Sequence, residues 1–230
     1  MTPINLEHLT YQILGDEYPL PLTTSKADTK DGILMYSTIL FAIYGYEGVS
    51  VNDIANTVKI KPASLYNHFK NKEAIWEAAV CHSEELFLLY FETLEAKLTA
   101  CNSMSEALEI SYREPKLMRN AFTCFAFTML INESLYNPLA WQIVHDKFYV
   151  YAIDVLKRQY ERFVDNADDA YSMATILTFS VYTCLGVECQ RLLGRTLGFA
   201  PSEVITHLEK FLQRFIENNQ QKVNNNETVN

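Results

Sequence analysis

The sequence predicts an all-α chain, and three observations carry that prediction. There is no glycine from Val49 to Leu185, a run of 137 residues. The prolines inside that run, Pro62, Pro115 and Pro138, stand near the starts of apolar-periodic segments, where a missing N–H does no harm. The apolar residues themselves recur with the 3.6 period of a helix. A β-rich domain of this size needs turn glycines and alternating strands, and neither is present.

The elements follow in order. Residues 1–25 are an extension, with a short helix near Asn5–Leu14 that breaks at Pro19 and Pro21. A helix over Lys26–Tyr44 carries Ile33, Leu34, Leu40, Phe41 and Tyr44 on one stripe, and Gly45 follows where a C-terminal glycine cap belongs. A short helix follows Ser50, and Asp53 three residues later gives the spacing of a capping box. A second short helix runs from Pro62 to His68, and a long one from Lys72 towards Thr99. Helices near 103–112, 115–133, 138–164, 168–193 and 201–218 complete the chain. The last has the clearest stripe, Val204, Ile205, Leu208, Phe211, Leu212, Phe215 and Ile216. Residues 219–230 are a polar tail, rich in Asn and Gln and expected to be disordered.

Composition narrows the functional classes. A chain of 230 residues makes one to two domains and can bury a full core without disulfides or metals. No apolar run reaches 18 residues; the longest is Ile176–Val187, so no membrane span is expected. No base precedes Lys26 and no compact apolar stretch opens the chain, so no secretory signal is expected. The five cysteines, Cys81, Cys101, Cys124, Cys184 and Cys189, are scattered and read as buried thiols in a reducing cytoplasm. The net charge of −9 argues against coating nucleic acid through bulk charge.

The distribution of charge says more than its sum. Residues 1–25 carry −3, residues 26–80 are balanced, and residues 81–230 carry −6. Within the balanced segment, Lys59, Lys61, Lys70 and Lys72 fall in one stretch that contains no acid. That stretch coincides with two short helices joined by about three residues, the spacing of a helix-turn-helix. A helix of seven residues is not stable alone, so Ile54, Ala55, Val58, Leu65 and Phe69 must hold it against its neighbours.

The residues of this region have a recognisable pattern. The turn Gly45-Tyr46-x-Gly48-x-Ser50 is followed by Asp53-Ile54-Ala55. Leu65-Tyr66-x-His68-Phe69 and Lys70-x-Lys72-Glu73 then come in register. Over residues 28–80 the chain resembles the DNA-binding domain of the TetR (tetracycline-repressor-like) family. The resemblance implies an N-terminal three-helix helix-turn-helix domain over 26–71. It also implies a C-terminal helical ligand-binding and dimerisation domain over 72–218, in a cytoplasmic homodimeric repressor. It places Tyr66, His68 and Lys72 on DNA phosphates, and Lys61, Pro62, Ala63, Ser64 and Asn67 towards the major groove. The chemistry agrees: Tyr, His and Lys donors suit phosphate oxygens, Asn67 suits adenine, Lys61 suits guanine, and Pro62 and Ala63 offer surface to a thymine methyl. Two positions depart from the family pattern. Lys59 stands where a turn glycine is common, at a cost of about 1 kcal/mol if the backbone is left-handed. Lys61 stands where a serine cap is common.

The body has two tasks under this reading. Segments 168–193 and 201–218 form the homodimer interface, with small Ser180 and Gly186 allowing close approach. The aromatic-rich segment 122–151 and its neighbours supply a pocket for an apolar or amphipathic small-molecule effector, for which Phe122, Phe125, Trp141, His145 and Tyr182 are the candidates. The partners are thus a double-stranded DNA operator, a small molecule and a second copy, with no membrane. No nucleotide loop, nucleophile elbow, Cys-x-x-Cys or His-Glu-x-x-His is found, so no catalytic residue, metal or cofactor is assigned. The rival readings are a small-molecule-binding or adaptor protein of the same fold that has lost DNA binding, and an α-helical enzyme whose site is assembled only in the fold.

Overall fold

The computed structural model describes residues 26–113 and 121–192, together with residues 206, 207, 210, 211 and 214, which are helical. The extension over 1–25, residues 114–120 with the start of the helix expected over 115–133, and the tail over 219–230 lie outside the described residues, as does most of the helix expected over 201–218. Among the described residues all regular structure is helical.

Helix α1 spans Lys26–Tyr44 and ends as expected: Gly45 takes φ +72° and its N–H bonds to the Phe41 carbonyl at 2.9 Å. Helix α2 spans Val51–Val58, α3 spans Pro62–Leu65 and α4 spans Lys72–Thr99. The expected helix over 62–68 is therefore shorter. Beyond Leu65 the chain tightens into turns, with Asn67 N–H on Ser64 O at 3.2 Å and His68 N–H on Leu65 O at 3.0 Å. The body continues with α5, Met104–Arg113, and α6, Ala121–Ser134.

The single helix expected over 138–164 is a composite. Helix α7, Pro138–Ile143, runs into a π-helical segment, Val144–Tyr151, then into α8, Ala152–Tyr160. Nothing in the side-chain spacing marks the change, since no Gly or Pro interrupts the stretch. Its observable correlate is burial of Phe148, whose ring lies 3.9 Å from that of Phe87 and 5.8 Å from that of Phe127. The Phe148 carbonyl accepts the buried Tyr182 hydroxyl. The helix stops at Tyr160 because the following turn carries Arg162 back to α4. Its guanidinium donates to the Leu98 and Cys101 carbonyls, each at 2.9 Å, and so caps the end of α4 with a cation.

Helix α9, Ala167–Leu192, opens with Asp168 and Asp169, acids that suit a helix N-terminus. By length and composition alone it is long and apolar enough to cross a membrane, but its Met173, Leu177, Tyr182 and Leu185 are buried against the body. It packs on α8 and α6, while α6 also packs on α1. One continuous core results. Ile33, Phe41, Ile54, Leu65 and Ile75 fill it near the N-terminal unit, and Phe87, Leu98, Phe125, Phe148 and Tyr160 fill it in the body. The cysteines correct the expectation in part: Cys101, Cys124 and Cys189 are buried, Cys184 is half-buried, and Cys81 is exposed.

Candidate nucleic-acid interface

The interface is built from its caps. Ser50 Oγ accepts the Asp53 N–H at 3.1 Å, and Asp53 Oδ2 accepts the Ser50 N–H at 2.8 Å, so α2 opens with a complete capping box. The Ser50 hydroxyl and then its backbone N–H hold the Asp53 carboxyl below the usual carboxylate range. Helix α2 closes at Lys59, with φ 60° and ψ 38°, and the Ile60 N–H reaches back to the Ala55 carbonyl at 2.9 Å. The left-handed turn thus exists, and lysine occupies it. Lys61 is extended and makes no side-chain cap on α3, while Pro62 opens the helix.

Helix α3 is held by what it buries. Leu65 is fully buried and Phe69 nearly so, against Ile54 and Ala55 of α2; Val58 is only partly buried. The remaining side chains divide by exposure. Lys61, Ala63, Tyr66 and Asn67 are exposed, whereas Pro62, Ser64 and His68 are half-buried. Tyr66 keeps 53% of its surface in solvent, which separates it from a packing aromatic. Lys70 is also exposed. Asn71 Oδ1 accepts the Ala74 N–H at 2.8 Å and caps α4.

Lys72 is placed differently from the others. Its ammonium donates to the Tyr46 carbonyl at 3.0 Å and lies 4.0 Å from the centroid of the Tyr46 ring. The Tyr46 N–H in turn donates to Glu133 Oε1 at 2.8 Å. The peptide groups on either side of Tyr46 are therefore held by α4 on one side and by the C-terminal end of α6 on the other. The ring fits between Phe41 and Trp76, and burial, with Glu73, Glu47 and Glu133 nearby, pushes the phenol up. Sequence reasoning missed Glu133. It lies 87 residues from its partner, and no local signal marks it.

The residues expected in an effector pocket are placed as follows. Phe122 and Phe125 are buried in α6. Trp141 and His145 are exposed on the surface with their rings 5.6 Å apart. Tyr182 lines a cavity in the body, with Tyr90, Phe91, Leu156, Leu177 and Thr178 among the other walls. The cavity is narrow, with room for about one water molecule. Among the described residues no group of three or more His, Cys, Asp or Glu is gathered as a metal would need.

Comparison with known proteins covers the N-terminal unit by sequence and the rest by shape. Residues 33–79 match the family model for bacterial regulatory proteins of the tetR family. The biofilm operon icaADBC HTH-type negative transcriptional regulator IcaR of Staphylococcus aureus is 47% identical over 51 residues, 22% of this chain and 27% of the relative. The same regulator of Staphylococcus epidermidis is 45% identical over 51 residues. The chain thus matches about a quarter of the length of these relatives.

The fold likeness is longer. A TetR-family transcriptional regulator from Mesorhizobium loti superposes with a TM-score of 0.61 at 15% identity, over 85% of this chain and 98% of that one. A transcriptional regulator from Saccharomonospora viridis, solved in complex with choline, gives 0.57 at 22% identity, over 82% and 97%. At these identities the likeness is one of fold. Residues 33–79, with the motifs of 45–73 and the capped helix-turn-helix, thus match the tetR family of bacterial regulatory proteins, and the all-α chain shares the fold of solved TetR-family regulators.

Proposed function

We propose that the chain is a cytoplasmic, ligand-responsive transcriptional repressor that binds a palindromic operator as a homodimer and is released by a small effector. It has no catalytic role in this reading. The observation that carries it is the division of side chains on α3. Leu65 is buried as the anchor, while Lys61, Ala63, Tyr66 and Asn67 are exposed together on a helix of four residues and the residues that flank it. Tyr66 and His68 hold phosphates; Lys61, Pro62, Ala63, Ser64 and Asn67 face the groove. Lys72 keeps two of its three ammonium donors for a phosphate while the third holds Tyr46.

Dimerisation uses the outer face of α9, where Tyr171, Ile176 and Phe179 are exposed, with exposed Phe211 of the second segment. Gly186 supports a close approach, since a Cβ there would meet nothing within 4 Å. An exposed apolar face of this kind marks an association site. The effector acts by population shift, stabilising a body conformation in which the two α3 helices no longer match adjacent major grooves. Helix α4 transmits the change, because it begins at the clamp on Tyr46 and runs into the body core.

The test is selection of DNA from a random pool by the purified full chain at about 0.15 M salt. A palindromic site should be enriched. Tyr66→Ala should weaken binding to that site at least about tenfold, as loss of a charge-assisted contact does. Absence of any enriched site would instead favour a protein of this fold that binds a small molecule without DNA.

A further inference from the structure

The turn that joins α1 to α2 is gripped from three sides. Helix α1 ends at its own cap, with Gly45 at φ +72°. From α4, the Lys72 ammonium holds the Tyr46 carbonyl at 3.0 Å. From α6, Glu133 Oε1 accepts the Tyr46 N–H at 2.8 Å, and the Asn132 amide donates to the Ala42 carbonyl at 3.5 Å. The two bonds from α6 differ from the others in kind. Lys72 lies within the matched segment 33–79, whereas Asn132 and Glu133 belong to the body. They tie the end of α1 to the body and not to its own unit.

Glu133 is itself braced. It stands in the last turn of α6, where its carbonyl accepts the Tyr136 and Asn137 N–H groups at 2.9 and 2.8 Å. Asn137 then caps α7, its Oδ1 accepting the Leu139 and Ala140 N–H groups at 2.9 and 3.2 Å. The carboxylate therefore springs from a corner fixed on both sides. Its partner is fixed as well, since the Tyr46 ring packs against Phe41 and Trp76 at centroid distances of 5.7 and 6.0 Å. Tyr46 and Glu133 are both half-buried, at the margin of the core. A bond there contributes modestly to folding. What it sets is orientation, the seat of the helix-turn-helix on the body.

We infer that Glu133 is a specificity-determining positioning residue: by holding the Tyr46 amide it fixes how the recognition unit sits on the body, and so which spacing of half-sites a dimer accepts. The inference rests on reading the chain as a dimeric operator-binding protein and adds the residue that sets operator geometry. Helix α3 packs on α2, α2 on α1, and α1 on α6, so the seat of α1 carries through to the recognition helix. One base pair moves a half-site about 3.4 Å along the duplex and about 35° around it. A firmly seated pair of recognition units misses a half-site displaced by that much, and a loosely seated pair follows it. Glu133 needs no contact with DNA for this, because it acts through Tyr46.

The experiment takes the palindromic site enriched by the full chain and compares it with two duplexes whose centre is longer or shorter by one base pair, by fluorescence anisotropy at about 0.15 M salt. Wild type should lose at least about tenfold in affinity on either change. Glu133→Ala should lose no more than about threefold, with the same preferred half-site sequence. Glu133→Gln, which keeps an acceptor, should restore the wild-type discrimination. Each ratio of affinities is taken within one protein, so a lower folded fraction cancels from it. Arg162→Ala, which removes the cap at the other end of α4, tests this directly and should keep the wild-type ratio. Discrimination retained in Glu133→Ala overturns the inference, as does equal loss of discrimination in Arg162→Ala, or equal affinity of wild type for all three spacings. Failure of Glu133→Gln to restore the ratio overturns the role of the hydrogen bond. An absence of any enriched site for wild type removes the operator-binding reading and this inference with it, whereas an enriched site with discrimination unchanged in Glu133→Ala removes this inference alone.

Discussion

Lys59 sits with φ 60°, where a side chain crowds the following carbonyl at a cost of about 1 kcal/mol. Lys59→Gly is expected to raise stability by up to about that amount in urea unfolding, less whatever freedom glycine adds to the unfolded chain. This position was legible through the resemblance, which puts a turn glycine where this chain has Lys59. The role of Glu133 was not. Its carboxylate accepts the Tyr46 N–H from a different helix, and a single sequence carries no record of such a pairing. Glu133→Ala should destabilise the chain by about 1 kcal/mol and expose the Tyr46 amide to faster hydrogen exchange; Glu133→Gln, which keeps an acceptor, should restore most of the protection. Lys72 lay between these cases. It stands in the motif, but its bond to the Tyr46 carbonyl depends on how α4 meets the turn.

At the scale of the elements, caps were legible and interruptions were not. The box at Ser50 and Asp53 follows from residue type and spacing, and it carries a pH signature. The Asp53 carboxyl is held below its ordinary range in the folded chain, so the unfolded chain binds protons more readily. The contribution of α2 is therefore complete at neutral pH and fades as the pH falls through the carboxylate range and below. Ser50→Ala should flatten this part of the stability–pH profile measured by urea unfolding. The π-helical segment had no such signal, because its observable correlate is the packing of Phe148 with Phe87 and Phe127, which come from other helices. Arg162 was equally silent, as its value lies in reaching the last carbonyls of α4. Arg162→Ala should fray that end of α4 and cost about 1 to 3 kcal/mol in unfolding experiments, as loss of a charged hydrogen-bond donor does.

Taken as a whole molecule, the chain is charge-asymmetric: its basic stretch over Lys59–Lys72 stands against a body of −6. Such an arrangement steers the basic end towards DNA and should make affinity fall steeply with salt. The fold class was legible because glycine distribution and helical period speak for the whole chain at once. The pocket was not, because aromatic residues at helical spacing serve a core as readily as a cavity; Phe125 and Trp141 ended respectively inside and outside the protein. The proposed dimer face can be tested at this scale. Phe179→Glu should shift the sedimentation coefficient from dimer to monomer and remove affinity for a palindromic site, while leaving the helical content intact.

The bond between Tyr46 and Glu133 also bears on how such proteins are assembled from parts. The unit matched by the family model, residues 33–79, looks transplantable, since related chains share a segment of 51 residues with this one. Yet its turn presents a backbone donor that this unit does not satisfy itself. A graft of residues 26–80 onto a foreign body inherits that open donor, and the recipient must supply an acceptor where α6 ends. The portable module is thus one residue larger than its contiguous segment, and a chimera that carries a glutamate at the place of Glu133 should seat the unit where one without it leaves it loose.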